Sequence, residues 1–207
     1  MNWDNTLTFA KEQDAKDPLK KYRDLFHFPT FTNERVIYFT GNSLGLQPKS
    51  TKEYILQELD DWAKWGVEGH FHANKPWMPY HEFLTEKAAK IVGGLPDEVV
   101  ITHSLTTNLH LLMVSFYQPD KTRNKILCEK KAFPSDQYAL QSQAVFHGFD
   151  PNEVIVEIGP REDEHTIRHE DVIAKIEELG DTLSMIMIGG VNYYTGQVFQ
   201  MKEIVCF

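Results

Sequence analysis

The second half of the sequence alternates continuously apolar runs with segments whose apolar residues recur at helical spacing. The runs cover residues 98–101, 125–128, 154–156 and 183–188, and the helical segments cover 105–116, 135–146 and 172–179. Strands that are apolar throughout are typical of a sheet covered on both faces, and alternation of strands with helices is typical of parallel pairing. The sequence therefore predicts an α/β fold in which a mainly parallel sheet carries helices on both faces.

The first 93 residues follow a different pattern. Apolar residues at helical spacing predict one helix that ends at Gly66 and another over 82–92. We therefore divide the chain into a helical N-terminal arm and leader, residues 1–93, and the first part of an α/β domain, residues 94–207.

The amino-acid composition limits the classes of molecule that the chain is expected to bind. The 207 residues include 21 Lys and Arg against 30 Asp and Glu, a formal net charge of −9. Nucleic acids and anionic membranes both require basic surfaces, so neither is expected as a partner. The sequence has no apolar stretch long enough to span a bilayer, and its two cysteines, Cys128 and Cys206, suit a reducing compartment. These features predict a cytoplasmic protein.

The segment Gly41–Pro48 (GNSLGLQP) follows an apolar run and contains two glycines around Asn42 and Ser43. Glycines permit unusual backbone angles and allow a ligand to approach the main chain closely. The segment is thus either a structural turn or part of a binding site, and its own residues favour the turn.

Two further turns follow predicted strands, at 103–108 and at 131–136. Because open α/β sheets bind ligands beyond the carboxyl ends of their strands, and a helix N-terminus presents free N–H groups, the first turn is a candidate phosphate site. The second places an aromatic ring beside a carboxylate, which suits a planar ligand. The alternative is simple helix capping, by Thr102 or Ser104 in the first turn and by Ser135 or Asp136 in the second.

Other site classes lack support in the sequence. His70 and His72, with His81 and Glu82 nearby, have no Cys or Asp cluster to complete a metal site, so no metal is predicted. The sequence contains no Gly-x-Gly-x-x-Gly, P-loop or Gly-x-Ser-x-Gly segment. From the residues alone, the expected ligand is planar and carries a phosphate.

Four stretches spread across nearly the whole chain are informative together: residues 37–48 (IYFTGNSLGLQP), 105–113 (LTTNLHLLM), 131–136 (KAFPSD) and 190–197 (GVNYYTGQ). In this order they resemble the kynureninase family, whose members are pyridoxal-phosphate (PLP) enzymes with the aspartate-aminotransferase-like fold, fold type I. The combination is specific, although no single stretch is.

The resemblance implies a role for each matching residue. Leu105 and Thr106 match the phosphate-binding turn, Phe133 the aromatic that stacks on the pyridine ring, and Asp136 a carboxylate beside the cofactor. The other implied cofactor contacts are Pro134, Ser135 and Gly189. At Gly189 many relatives carry a hydroxyl residue, whereas glycine offers only its backbone.

Two residues of the N-terminal part match positions that line the substrate pocket in the family, Ser43 and His70. The implied reaction is hydrolytic Cβ–Cγ cleavage of kynurenine, or its 3-hydroxy form, to anthranilate (or 3-hydroxyanthranilate) and alanine. Family membership further implies a homodimer with a role in tryptophan catabolism and NAD biosynthesis.

In the family, the cofactor-linking lysine and the aspartate that pairs with the pyridine nitrogen come after the Tyr-Thr-Gly-Gln segment, which is residues 194–197 here. Both family positions fall beyond residue 207. We therefore expect no catalytic residue within residues 1–207, and an N-terminal portion that is inactive alone. Two alternatives remain: another fold-type-I PLP enzyme, such as a cysteine desulfurase or aminotransferase, and a non-catalytic chain that only dimerises.

Overall fold

The structure, a computed structural model, describes residues 3–206. The chain divides into two compact units, a first that ends at Val100 and a second that begins at Ile101. Each unit is described by itself below.

The first unit is mainly helical. Its α-helices are α1 (Leu7–Lys16), α2 (Thr51–Trp65), α3 (Gly69–His72) and α4 (Thr85–Val92). Its 3-10 helices are Lys20–Leu25, Gly66–Glu68, Tyr80–Glu82 and Pro96–Glu98. Strands β1 (Thr30–Phe31) and β2 (Glu34–Arg35) pair antiparallel.

The two helices predicted in this unit are confirmed. Helix α2 ends where Gly66 takes a positive φ of 52°, and α4 ends where Gly93 takes the left-handed conformation, with φ 78°. Only glycine adopts these angles at little cost, so the two residues terminate their helices.

The second unit contains the sheet. Strands β3 (Lys125–Glu129), β4 (Ile155–Ile158) and β5 (Leu183–Met187) pair in parallel in the order β4-β3-β5. The predicted parallel sheet is thus confirmed, with β3 at its centre.

The prediction of a strand over 98–101 is wrong. Residues Pro96–Glu98 form a 3-10 helix, and Val99 is extended (φ −125°, ψ 130°) but pairs with no other segment that the structure describes. An extended apolar run becomes a strand only when a neighbouring backbone satisfies its N–H and C=O groups.

The helices of the second unit cover both faces of the sheet, as predicted. They are α5 (Leu105–Phe116), α6 (Pro134–Phe146), α7 (Pro151–Val154), α8 (His169–Leu179) and α9 (Met201–Val205), with a 3-10 helix at Gly180–Thr182. Successive side chains of β3 point to opposite faces, which separates two cores. Ile126 and Cys128 pack with residues of α5 and α6, whereas Leu127 packs with residues of α8 and α9.

None of the helices described between residues 3 and 206 has the length and apolar character needed to cross a lipid bilayer.

Candidate functional site at the carboxyl edge of the sheet

The loops that follow β3 and β5 leave the sheet at the same edge, because the two strands are parallel neighbours. The loop after β3 brings Phe133 against Tyr193 from the loop after β5. Their ring centroids lie 5.2 Å apart with the planes at 85°, an edge-to-face contact. Phe133 remains 49% exposed, so much of its ring is open to a ligand.

The predicted site residue Asp136 lies in the first turn of α6. Sequence reasoning allowed Ser135 or Asp136 to be the N-cap of this helix, and that interpretation is wrong. The N-cap is Phe133 and Pro134 is the first helical residue, with no side chain capping the helix. Proline has no N–H at this position, so fewer amide groups need a cap. Apart from a 3.1 Å hydrogen bond donated by the Ser135 hydroxyl, the Asp136 carboxylate is therefore free to face a ligand.

Leu105 and Thr106 are the first two residues of α5, and both are exposed. Ser104, one of the two predicted caps, is the N-cap: its Oγ accepts a 3.4 Å hydrogen bond from the Thr107 N–H. The N–H groups of Leu105 and Thr106 have no acceptor within residues 3–206. Two unpaired N–H groups at the positive end of a helix suit a phosphate.

A side-chain hydrogen bond links helices α5 and α6. Gln143, which is 8% exposed, places its Nε2 atom 3.3 Å from Nδ1 of His110. The contact holds the helix that carries Leu105 and Thr106 against the helix that begins after Phe133.

Gly189 lies two residues beyond β5, in a crowded position. A Cβ atom added there would lie 3.3 Å from the Val191 carbonyl oxygen and 3.7 Å from Oε1 of Glu129. A side chain at this position would require the loop to shift by a few tenths of an ångström, so the loop is fitted to glycine.

Two polar residues at this edge were missed by sequence reasoning, Glu129 and Asn192. Glu129 ends β3 and is only 6% exposed, and its Oε2 accepts a 2.9 Å hydrogen bond from Asn192 Nδ2. The available signal was a carboxylate placed directly after the continuously apolar run of β3.

Cys128, next to Glu129, is not a nucleophile. Burial, and then the charges of Glu157 and Glu129, raise the pKa of its thiol to about 12. Since the thiolate is the reactive form, this cysteine is inert at neutral pH.

A cavity of about 780 Å³ borders Tyr193 and is also lined by Lys130, Lys131 and His165. Arg161 and residues 164–167, which belong to the charged segment 161–170, form one wall. Arg161 pairs with Asp171 at 2.5 Å, and Arg168 pairs with Glu164 and, at 3.7 Å, with Glu170. The ion pairs of these two arginines therefore organise the segment.

In the first unit, Ser43 lies in a turn closed by its own N–H, which donates to the Thr40 carbonyl at 3.0 Å. Neither Gly41 nor Gly45 has a positive φ, and an added Cβ would meet nothing within 4 Å at either position. The unusual backbone angles that glycine permits are therefore not used at these two positions of Gly41–Pro48.

His70, also in the first unit, lies in α3 with its Nδ1 atom 2.8 Å from the Val67 carbonyl and its ring edge-on to Trp77. Trp77 packs so closely on Gly69 that an added Cβ would come within 2.5 Å of the indole ring. With Nδ1 donating to the carbonyl, the Nε2 atom of neutral His70 is an acceptor for a ligand.

Within residues 3–206, no three His, Cys, Asp or Glu side chains converge as metal ligands. His72 instead lies 3.9 Å from Glu68 on the same helical segment.

Comparison with known proteins adds relatives of high identity, although no family model matches the chain. The kynureninase of Flavobacterium johnsoniae is 61% identical over 204 residues, which cover 99% of this chain and 48% of the relative. The kynureninases of Flavobacterium psychrophilum (57%) and Myxococcus xanthus (52%) match over the same shares, 99% and 98% of the chain and 48% of each relative. The chain thus spans about half the length of the curated relatives it matches.

Solved structures show the fold. The cystine C–S lyase C-DES in complex with cysteine persulfide is 18% identical, with a TM-score of 0.66 over 87% of this chain and 44% of its own. A C-DES mutant with glycine covalently linked to its PLP cofactor is 16% identical, with a TM-score of 0.67 over 92% of this chain and 45% of its own. The predicted fold class and the resemblance read from the four sequence stretches are both confirmed: nearly all of this chain is similar to about half of a kynureninase.

Proposed function

We propose that the chain is the part of a kynureninase that holds the phosphate and one ring face of PLP, in an enzyme that hydrolyses kynurenine or 3-hydroxykynurenine to anthranilate or 3-hydroxyanthranilate and alanine. The observation that carries the proposal is the half-exposed ring of Phe133 close to Asp136, whose carboxylate does not cap the helix. Both lie in a chain 61% identical to a kynureninase. A hydrolase of this kind would act in tryptophan catabolism and NAD biosynthesis.

The residues at the carboxyl edge fit the cofactor in their chemistry. Leu105 and Thr106 offer a phosphate two N–H groups that have no acceptor among the described residues, at the positive end of α5. Phe133 offers a flat apolar surface to a pyridine ring, and Asp136 offers a carboxylate within the same helical turn. Pro134 and Ser135 lie between these two residues in the sequence. Gly189, which has no side chain, lets the backbone of the loop after β5 lie close to Glu129. When bound, PLP supplies the electron sink for charge at the substrate's Cα.

The substrate contacts belong to the first unit. Neutral His70 can accept a hydrogen bond at Nε2 from the amino group on the aromatic ring of kynurenine, and Ser43 can donate its hydroxyl. The complete protein is proposed to be a cytoplasmic homodimer that has no nucleic-acid or membrane partner.

The test is anthranilate release from kynurenine by the complete protein that contains this chain, together with a PLP titration followed by protein fluorescence. Phe133→Ala removes the stacking surface and is expected to weaken PLP binding by roughly fivefold or more, the equivalent of about 1 kcal/mol.

The matched control is Phe146→Ala, at the other end of α6, where the ring is 77% exposed. It is expected to keep PLP affinity within about twofold of the wild-type value, because a ring that faces solvent contributes little to PLP binding. Absence of anthranilate, with PLP binding that ignores Phe133, would overturn the proposal.

A further inference from the structure

Glu129 is a buried carboxylate whose place in the fold requires an explanation. A carboxylate transferred from water into a protein interior is costly unless hydrogen bonds replace its hydration. Within the described residues, no Lys, Arg or His nitrogen lies within 4.0 Å of its oxygens, so it forms no ion pair there. Its direct side-chain partner is Asn192 Nδ2, at 2.9 Å.

Asn192 is the residue that closes the loop after β5. Its Oδ1 accepts hydrogen bonds from the N–H groups of Tyr194 (3.0 Å) and Thr195 (2.9 Å) and from the Thr195 hydroxyl (3.1 Å). Its own N–H donates to the Gln197 carbonyl at 2.8 Å. With its oxygen occupied by this turn, the amide can turn only its NH₂ group toward Glu129.

Tyr193 is the next residue, and it is the one that contacts Phe133. The position of the Tyr193 ring depends on how the turn that starts at Asn192 is oriented over the sheet edge. Glu129 connects that turn to the sheet, because it is the last residue of the central strand β3 and accepts the hydrogen bond from Asn192.

We propose that Glu129 and Asn192 are a positioning pair that sets the Tyr193 ring against Phe133, and thereby the angle at which Phe133 faces the cofactor ring. The chain of contacts runs from the Glu129 carboxylate through the Asn192 amide to the Tyr193–Phe133 edge-to-face pair. The part that concerns the cofactor rests on the proposed function, whereas the anchoring of Tyr193 stands independently of it.

The test compares Glu129→Ala with Glu129→Gln in the complete protein that contains this chain. The glutamine keeps an oxygen that accepts from Asn192, whereas alanine leaves the amide unpaired. Glu129→Ala is expected to weaken PLP binding roughly tenfold, as loss of a hydrogen bond to a charged group would, and Glu129→Gln to restore it to within about twofold.

The near-ultraviolet circular dichroism of the cofactor-free protein supplies a second readout. Glu129→Ala is expected to change the tyrosine signal in the same direction as Tyr193→Phe, and Glu129→Gln to preserve it. Glu157→Ala is the matched control, since Glu157 is an exposed glutamate on the adjacent strand β4, and it should leave both readouts unchanged.

The outcomes separate the two proposals. If the wild-type protein does not bind PLP, the proposed function fails, and the dichroism still decides whether Glu129 anchors Tyr193. If Glu129→Ala lowers only the melting temperature while PLP affinity and the tyrosine signal stay unchanged, Glu129 is merely structural and the positioning proposal is overturned. Should Glu129→Ala fail to fold, Asn192→Asp keeps the Oδ1 atom that closes the turn and removes the NH₂ group that donates to Glu129, so it is read in the same way.

Discussion

The two units of the chain bury their apolar side chains to very different extents. In the second unit Leu127, Leu140, Val172 and Tyr117 are fully buried. In the first unit the apolar stripe of α2, formed by Tyr54, Ile55, Leu59 and Trp62, is 50–65% exposed. In the second unit, helices of the same unit pack on both faces of the sheet. In the first unit, the apolar faces of the helices are not buried by other described residues of that unit. The contrast shows that amphipathic spacing fixes which residues share a face but does not supply what buries them.

The strongest test of this difference in burial is to make the same leucine-to-alanine substitution in both units and compare the loss of stability. Leu127→Ala removes a fully buried side chain that packs with Ile158, Val172 and Ile176, and is expected to lower the free energy of unfolding by about 2–5 kcal/mol. Leu59→Ala, on the exposed stripe of α2, is expected to cost less than about 0.5 kcal/mol. Urea titrations of the two variants, followed by circular dichroism, provide the measurement.

The outcome that contradicts the contrast is equal destabilisation by the two substitutions. It would mean that α2 is covered in solution as completely as β3. An apolar substitution that keeps volume, Leu59→Met, should then also be tolerated no better than Leu127→Met.

The buried thiol of Cys128 makes the stability of the second unit depend on pH. Its pKa is about 12 in the folded state, against an ordinary value of 9.0. Above pH 9 the unfolded chain releases this proton and the folded chain retains it, so the folded state loses stability as pH rises. The expected loss is about 1.4 kcal/mol by pH 10.

Two cysteine variants isolate this effect. Cys128→Ala should remove that share of the pH dependence, while Cys206→Ala should keep it, because Cys206 is exposed. Unfolding free energies of all three proteins at pH 8 and pH 10 give the comparison. The same slope in wild type and Cys128→Ala would show that the thiol is not desolvated.

Periodicity alone predicted most of the second unit. The apolar runs that became β3, β4 and β5 and the helical spacings that became α5, α6 and α8 were identified from local patterns, because each of these elements buries a face within the same unit. The run over 98–101 has the same apolar composition but no backbone to pair with, and a sequence pattern does not reveal whether such a partner is present.

The site was predictable only in part, for a physical reason. Ser104 as a cap and the helix start at Leu105 follow from local chemistry, and the structure places both as expected. The start of α6 was predicted less well, because its N-cap is Phe133 and not Ser135 or Asp136. The hydrogen bond between Glu129 and Asn192 joins residues 63 positions apart, and the contact between Phe133 and Tyr193 likewise joins two loops. Such pairings depend on which strands are neighbours, and no spacing along the chain encodes that.

The smallest expected effect compares two tyrosine hydroxyls that make the same kind of bond. Tyr117, fully buried, donates to the Asn124 carbonyl at 2.9 Å, and burial raises the pKa of its phenol above the usual value. Tyr38 donates to the Leu44 carbonyl at 2.6 Å at the exposed segment Gly41–Pro48. Tyr117→Phe should cost about 1 kcal/mol of unfolding free energy, because a buried donor has no water to replace its partner. Tyr38→Phe should cost only a few tenths of a kcal/mol, since water can replace the hydroxyl. Thermal and urea unfolding of the two variants measure the difference, and a larger loss for Tyr38→Phe would show that Gly41–Pro48 is buried in solution and that the first unit is covered after all.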